Sequence, residues 1–189
     1  EEGTDMYNAV ELALAKSTAY WKFVVHHHPP FSSDDDDFGN TYYEKSTLGD
    51  DEVRSLVPLY EKYGVDIVFY GHIHTYERSW PVMKGKTVSE NGVLYLNLGG
   101  SGGSLENPAP TRSWFTNTLR TTHHFGYVTI NQNNLQFQAI DENGVLFDQF
   151  VLDKSRKKYR DNITPAAPVC ATSKRLFTDT MHVKFLKDN

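Results

Sequence analysis

Apolar residues recur at Met6, Val10 and Leu14, the one-face spacing of a helix, so residues 4–20 read as helical. Thr4 is a suitable N-cap, and Asp5 favours the positive end of the helix dipole. Trp21-Lys22-Phe23-Val24-Val25 is instead short, aromatic and β-branched, the composition of a buried strand. It runs into His26-His27-His28-Pro29-Pro30, where two prolines end any ladder. Residues 32–50 are polar and read as a long loop holding Asp34-Asp35-Asp36-Asp37. Val53, Leu56, Leu59 and Tyr60 restore a helical pattern behind Asp50 or Asp51 as cap, with Gly64 at the C′ position. Residues 65–70 form a second buried strand that stops at Gly71-His72-Ile73-His74.

Strand, helix, strand, with histidines at the strand ends, is the pattern of a layered α/β sheet, whose sites lie beyond the carboxyl ends of strands. The second half changes character. Residues 92–98, 125–130, 135–140 and 145–152 read as short strands, joined in part by the hairpin connectors Asn133-Asn134 and Glu142-Asn143-Gly144. This half is expected to be antiparallel. Gly99-Gly100-Ser101-Gly102-Gly103 reads as a flexible loop, and it lacks the Lys-Ser/Thr of a phosphate-binding P-loop. After Asp153 the chain turns basic, and Thr164-Pro165-Ala166-Ala167-Pro168 reads as a linker. The expected division is therefore a domain over 1–153, then a linker and the start or remnant of a further module over 154–189.

The 189 residues carry a net charge of −5, and the pI is near 5.9, which argues against a nucleic-acid backbone as partner. No apolar run approaches the roughly 18–20 residues that span a bilayer, so no membrane partner is expected. A single cysteine, Cys170, allows neither an intramolecular disulfide nor a thiolate metal site. Any metal must be held by nitrogen and oxygen donors. Eight histidines are available, and seven fall between positions 26 and 124 in three clusters. Neutral imidazoles converging from two rigid strand ends are a plausible metal-ligand set.

Gly71-His72-Ile73-His74-Thr75-Tyr76-Glu77-Arg78-Ser79 resembles the Gly-His-x-His-x-Tyr-Glu-Arg segment of purple acid phosphatases, within the calcineurin-like metallophosphoesterases. Residues 21–33 resemble the Val-x-x-His segment of the same family, followed by x-Pro and an aromatic residue. The resemblance covers roughly residues 1–153. It implies the carboxy-terminal half of a four-layer α/β/β/α catalytic domain, whose later part is antiparallel β. It further implies hydrolysis of phosphate esters, phosphomonoesters foremost, at two divalent or trivalent ions (Fe, Zn or Mn). His27 and His72 would bind one ion and His74 the other. Val25 to His28 also spells Val-x-x-His, but His27 stands two residues before the first proline, as the family residue does. Strand alternation would then prevent His26 and His28 from sharing the role of His27.

By the same resemblance His28 is the candidate catalytic residue beside the substrate, while His124 and Arg78 are candidate substrate contacts. His26 is expected to pack. Tyr76, Glu77 and Arg78 are expected to support the histidine turn, with Glu77 and Arg78 as a carboxylate–guanidinium pair. The aspartate run stands where plant members carry histidines, and reads as a solvated acidic loop. The family also uses Asp-x-Gly, Gly-Asp-x-x-Tyr and Gly-Asn-His-Asp/Glu upstream of the histidine strand, and residues 1–20 contain none of them. The expected partner is therefore a segment or chain that supplies the amino-terminal half and its ligands, and the expected location is secreted or periplasmic. Two competing readings are a non-catalytic binding or adhesion module on the same fold, and a mononuclear zinc protein using His27, His72 and His74.

Overall fold

The computed structural model describes residues 2–34, 47–110 and 112–155, and the backbone alone over 158–161. Helix α1 (Asp5–Lys16) begins where expected, with the Thr4 hydroxyl accepting from the Tyr7 N–H at 3.2 Å. Its half-buried stripe is Tyr7, Val10 and Leu14; Met6, expected on that face, is exposed. Strand β1 (Phe23–Val25) follows, then α2 (Asp51–Arg54) and α3 (Val57–Lys62). Asp50 is the cap of α2, its carboxylate accepting from the N–H groups of Glu52 and Val53. Pro58 sits in the first turn of α3, and Gly64 at φ 65 leads out of it into β2 (Ile67–Tyr70).

After the histidine turn come β3 (Tyr76–Ser79), the small hairpin β4 (Val82–Met83) and β5 (Lys86–Thr87), then β6 (Leu94–Leu98) and β7 (Thr116–Arg120). The first sheet has the order β1-β2-β6-β3-β7: β1, β2 and β6 are parallel, and β3 runs antiparallel to both its neighbours. Strands β8 (His124–Asn131), β9 (Asn134–Asp141), β10 (Leu146–Asp153) and β11 (Lys158–Asp161) form a second, antiparallel meander. Because β11 pairs with β10, the sheet continues past the boundary expected at 153. Residues 162–189 lie outside the described residues, as does the expected linker within them.

Two cores hold these layers together. Leu56, Leu59, Tyr60, Val68 and Tyr95 belong to a cluster that joins the helices to one face of the first sheet. Ile67, Tyr76, Leu94 and Leu96 from the other face meet Leu135, Phe137, Ala139 and Phe150 from the second sheet. The result is an α/β/β stack among the described residues, mixed in the first sheet and antiparallel in the second. Strand β1 lies at the sheet edge, with Val25 75% exposed.

Candidate metal centre

Parallel pairing of β1 with β2 aligns Val25 with Phe69, so the two chains leave the sheet side by side. The pairing persists past the strands: the His26 N–H donates to the Phe69 carbonyl, and the Gly71 N–H donates to the His27 carbonyl at 3.1 Å. His27 and His72 therefore project from two locked strand ends, the rigid presentation a metal needs. Nε2 of His27 lies 3.2 Å from Nδ1 of His72, with the rings 76° apart. His72 has φ 70, a left-handed conformation that costs a non-glycine residue about 1–3 kcal/mol and clusters at functional sites.

His28 joins this pair. Its ring stacks on His72 at 4.4 Å and 12°, and donor atoms of His27, His28 and His72 all lie within 4.8 Å of one another. Strand alternation was expected to separate His28 from His27, but β1 ends at Val25, so alternation no longer governs the triplet. The Nδ1–H of His28 donates to Asp50 Oδ2 at 3.0 Å, while the other Asp50 oxygen caps α2. One carboxylate thus fixes both a helix start and an imidazole.

His74 lies outside that group, among the described residues. Its N–H donates to Glu106 Oε2 at 2.8 Å, and its Nδ1–H donates to the Ser104 carbonyl at 2.8 Å. This tautomer leaves Nε2 as the nitrogen with a lone pair, the usual arrangement of a metal-binding imidazole. The glycine-rich loop is what lets these groups approach. A Cβ at Gly103 would stand 2.3 Å from the His74 ring, and one at Gly99 would stand 2.0 Å from the Ile73 carbonyl. Within the segment expected to be a flexible loop, Gly99 and Gly103 pack closely on the histidine turn, while Ser101 and Gly102 are exposed.

Several expectations are corrected by burial. Arg78 is 0% exposed and pairs with Asp148 of β10 at 2.6 and 2.8 Å, not with Glu77. The Tyr76 hydroxyl donates to the same carboxylate. Arg78 therefore ties the two sheets together. Glu77 is buried beside Ser33 and Thr116, whose hydroxyls and the Ser33 N–H donate to it, and burial pushes its carboxyl upward. His124 is also buried, packed edge-on against Tyr76 and Phe147, and desolvation holds its pKa below the ordinary value. His26 packs between Tyr60 and Tyr70, as expected, and desolvation lowers its pKa too. Asp34 is 2% exposed and accepts from the Ser32 hydroxyl, so the first of the four aspartates is not solvated; Asp35, Asp36 and Asp37 lie outside the described residues.

Sequence reasoning missed Asp50 as the partner of His28, and both Ser104 and Glu106 as partners of His74. These partners stand 22, 30 and 32 residues away, so no local spacing signals them.

The family described as calcineurin-like phosphoesterase matches residues 2–76. A protein from Arabidopsis thaliana named "Probable inactive purple acid phosphatase 1" is 30% identical over 190 residues, covering 89% of this chain and 29% of its own length. The purple acid phosphatase PPD1 from yellow lupin seeds superposes with a TM-score of 0.71 at 26% identity, over 81% of this chain and 29% of that one. This chain is similar to calcineurin-like phosphoesterases, and to purple acid phosphatases among them. A "Nucleotide pyrophosphatase/phosphodiesterase" of Hordeum vulgare, 26% identical, covers 89% of the chain and 48% of its own length. The chain thus spans less than half the length of these relatives. Similarity to metallophosphoesterases implies divalent or trivalent metal ions, and the donor set fits them. Two nitrogens bound about 2.0–2.1 Å from a tetrahedral ion lie about 3.3 Å apart, close to the 3.2 Å between His27 and His72. Among the described residues no helix is long and apolar enough to cross a membrane.

Proposed function

We propose that this chain contributes His27, His72 and His74 to a two-metal centre that hydrolyses phosphate esters. The observation that carries the reading is the 3.2 Å approach of His27 Nε2 to His72 Nδ1 at two locked strand ends. Bound ions supply Lewis-acid chemistry toward the phosphate. The chain's own residues hold and orient: the Ser104 carbonyl and Glu106 fix the face of His74, and Asp50 fixes His28 at the edge of the cleft, where it can meet the substrate. A bridging carboxylate is not among these residues, so the remaining ligands come from a segment or chain bearing the three absent sequence patterns. The exposed edge of β1 supports a further strand pairing there. Family kinship supports a secreted or periplasmic location, which fractionation of the producing cells checks.

The printed names of the relatives diverge, one carrying "inactive" and another an enzyme name. That divergence favours one rival, a metal-free binding module on the same fold. Mixing this chain with a segment that carries Asp-x-Gly, Gly-Asp-x-x-Tyr and Gly-Asn-His-Asp/Glu, then assaying aryl phosphate hydrolysis, separates the two. The enzyme reading expects hydrolysis with about two ions per assembly, abolished by His72→Ala with His74→Ala. Hydrolysis that survives the double substitution, or an assembly that binds no metal, overturns it.

A further inference from the structure

We infer that a pocket at the amino-terminal end of the parallel strands binds a small organic cation with an apolar body. The Lys154 ammonium holds the cation position until such a ligand displaces it. This goes beyond the proposed function, because the histidines follow the opposite ends of the same strands. The pocket lies where β1, β2 and β6 begin. There the Asp66 N–H donates to the Lys22 carbonyl, and the Leu94 N–H donates to the Asp66 carbonyl. Its volume is about 460 Å³, within the roughly 300–1,000 Å³ of small-molecule sites.

Tyr20 and Trp21 form one corner of the pocket, their rings 5.9 Å apart and 87° to one another. The polar ends of both rings are pinned to the turn between β8 and β9. The Tyr20 hydroxyl donates to Asn133 Oδ1, and the Trp21 Nε1–H donates to the Gln132 carbonyl, each at 2.9 Å. The ring faces are thus set before any ligand arrives. An ammonium already sits against them: Lys154 Nζ lies 4.8 Å from the Trp21 ring centre and 5.1 Å from that of Tyr20, within cation–π range. It donates to the two Asp66 oxygens at 2.6 and 2.7 Å, and to the Tyr20 carbonyl. Asp66 is held in turn by the Lys22 N–H at 2.8 Å. The lysine stem is flexible and its side chain is 24% exposed, so the ammonium can leave for water without moving the corner. Beyond the corner, Val65, Pro81, Met83 and Leu152 supply apolar walls that suit a hydrocarbon body. Among the described residues, Glu61, Asp66, Glu90 and Asp153 line the pocket against Lys154 as the one basic group. That balance selects a cation over an anion. Aromatic faces and apolar walls suit an alkyl- or arylammonium more than a hydrated metal ion.

The test is titration of the full chain with benzylamine, read at the indole N–H signals of ¹H–¹⁵N spectra. The Trp21 signal should shift saturably, while that of Trp114, packed beside Phe31, stays in place. Benzyl alcohol, the same body without the charge, should bind about 10-fold more weakly. Lys154→Met keeps an apolar stem but removes the ammonium, and it should tighten benzylamine binding about 10-fold. Adding Asp66→Asn to that variant should reverse the gain. The absence of a saturable shift at Trp21 overturns the site. Equal binding of benzyl alcohol overturns its preference for a cation. Unchanged or weaker binding of benzylamine by Lys154→Met overturns the displacement of the lysine.

Discussion

One nine-residue segment, positions 71–79, contains two polar regions with opposite fates. Its first half presents His72 at the mouth of the sheet, where an exposed cluster of imidazoles meets nitrogen to nitrogen. Its second half sends Tyr76, Glu77 and Arg78 into the interior, where Asp148, Ser33 and Thr116 hold them. The buried half is closed: its charges face opposite charges or hydroxyls that donate to them. The open half instead brings imidazoles face to face, and two facing imidazole nitrogens can share only one hydrogen between them. Polar residues that bury one another hold a fold together. Nitrogens that converge at an open strand end can serve a further group.

The sharpest way to break this comparison is Arg78→Ala. It strands the fully buried Asp148 carboxylate and should cost about 3–5 kcal/mol in urea denaturation. A cost below about 1 kcal/mol would show that the seam is not structural. Gly99→Ala comes next, since its Cβ would meet the Ile73 carbonyl, a backbone atom with little room to retreat. A loss of about 1–3 kcal/mol is expected, together with weakened metal binding, because the displaced turn carries both His72 and His74. His72→Gly should do the reverse. Relief of the left-handed backbone should stabilise the metal-free chain by about 1 kcal/mol, while metal affinity collapses. A variant that loses both stability and affinity would place His72 with the structural half.

The smallest effect concerns His124. Burial keeps its folded pKa below the ordinary 6.5, so the unfolded chain takes up the proton first as pH falls. The native state is fully stable on this account above about pH 6.5 and loses stability below it. In His124→Phe the fall in melting temperature from pH 7.5 to pH 5 should be shallower than in the wild type. An unchanged slope would show that this ring titrates alike in both states.

The same contrast explains what the sequence made legible. Helix α1, strands β1 and β2 and the β8–β10 meander follow from apolar spacing, because their cores face one side. Strands β3 and β7 were hidden: Tyr76-Glu77-Arg78-Ser79 and Thr116-Asn117-Thr118-Leu119-Arg120 look like polar loops until distant partners neutralise them. His27 and His72 were legible because each ends a strand. The pairing of His28 with Asp50 was not, because the two stand 22 residues apart and no local pattern encodes their meeting. Arg78 and His124 were expected near substrate from kinship alone, and their burial was not legible in local spacing.

Imidazole ¹H–¹⁵N correlation spectra of the full chain, recorded before and after one equivalent of Zn²⁺, test the division of the histidines most directly. The account predicts large nitrogen shifts at His27 and His72, with His26 and His124 unmoved. Unshifted resonances at His27 and His72, or equal shifts at the two buried rings, would contradict it.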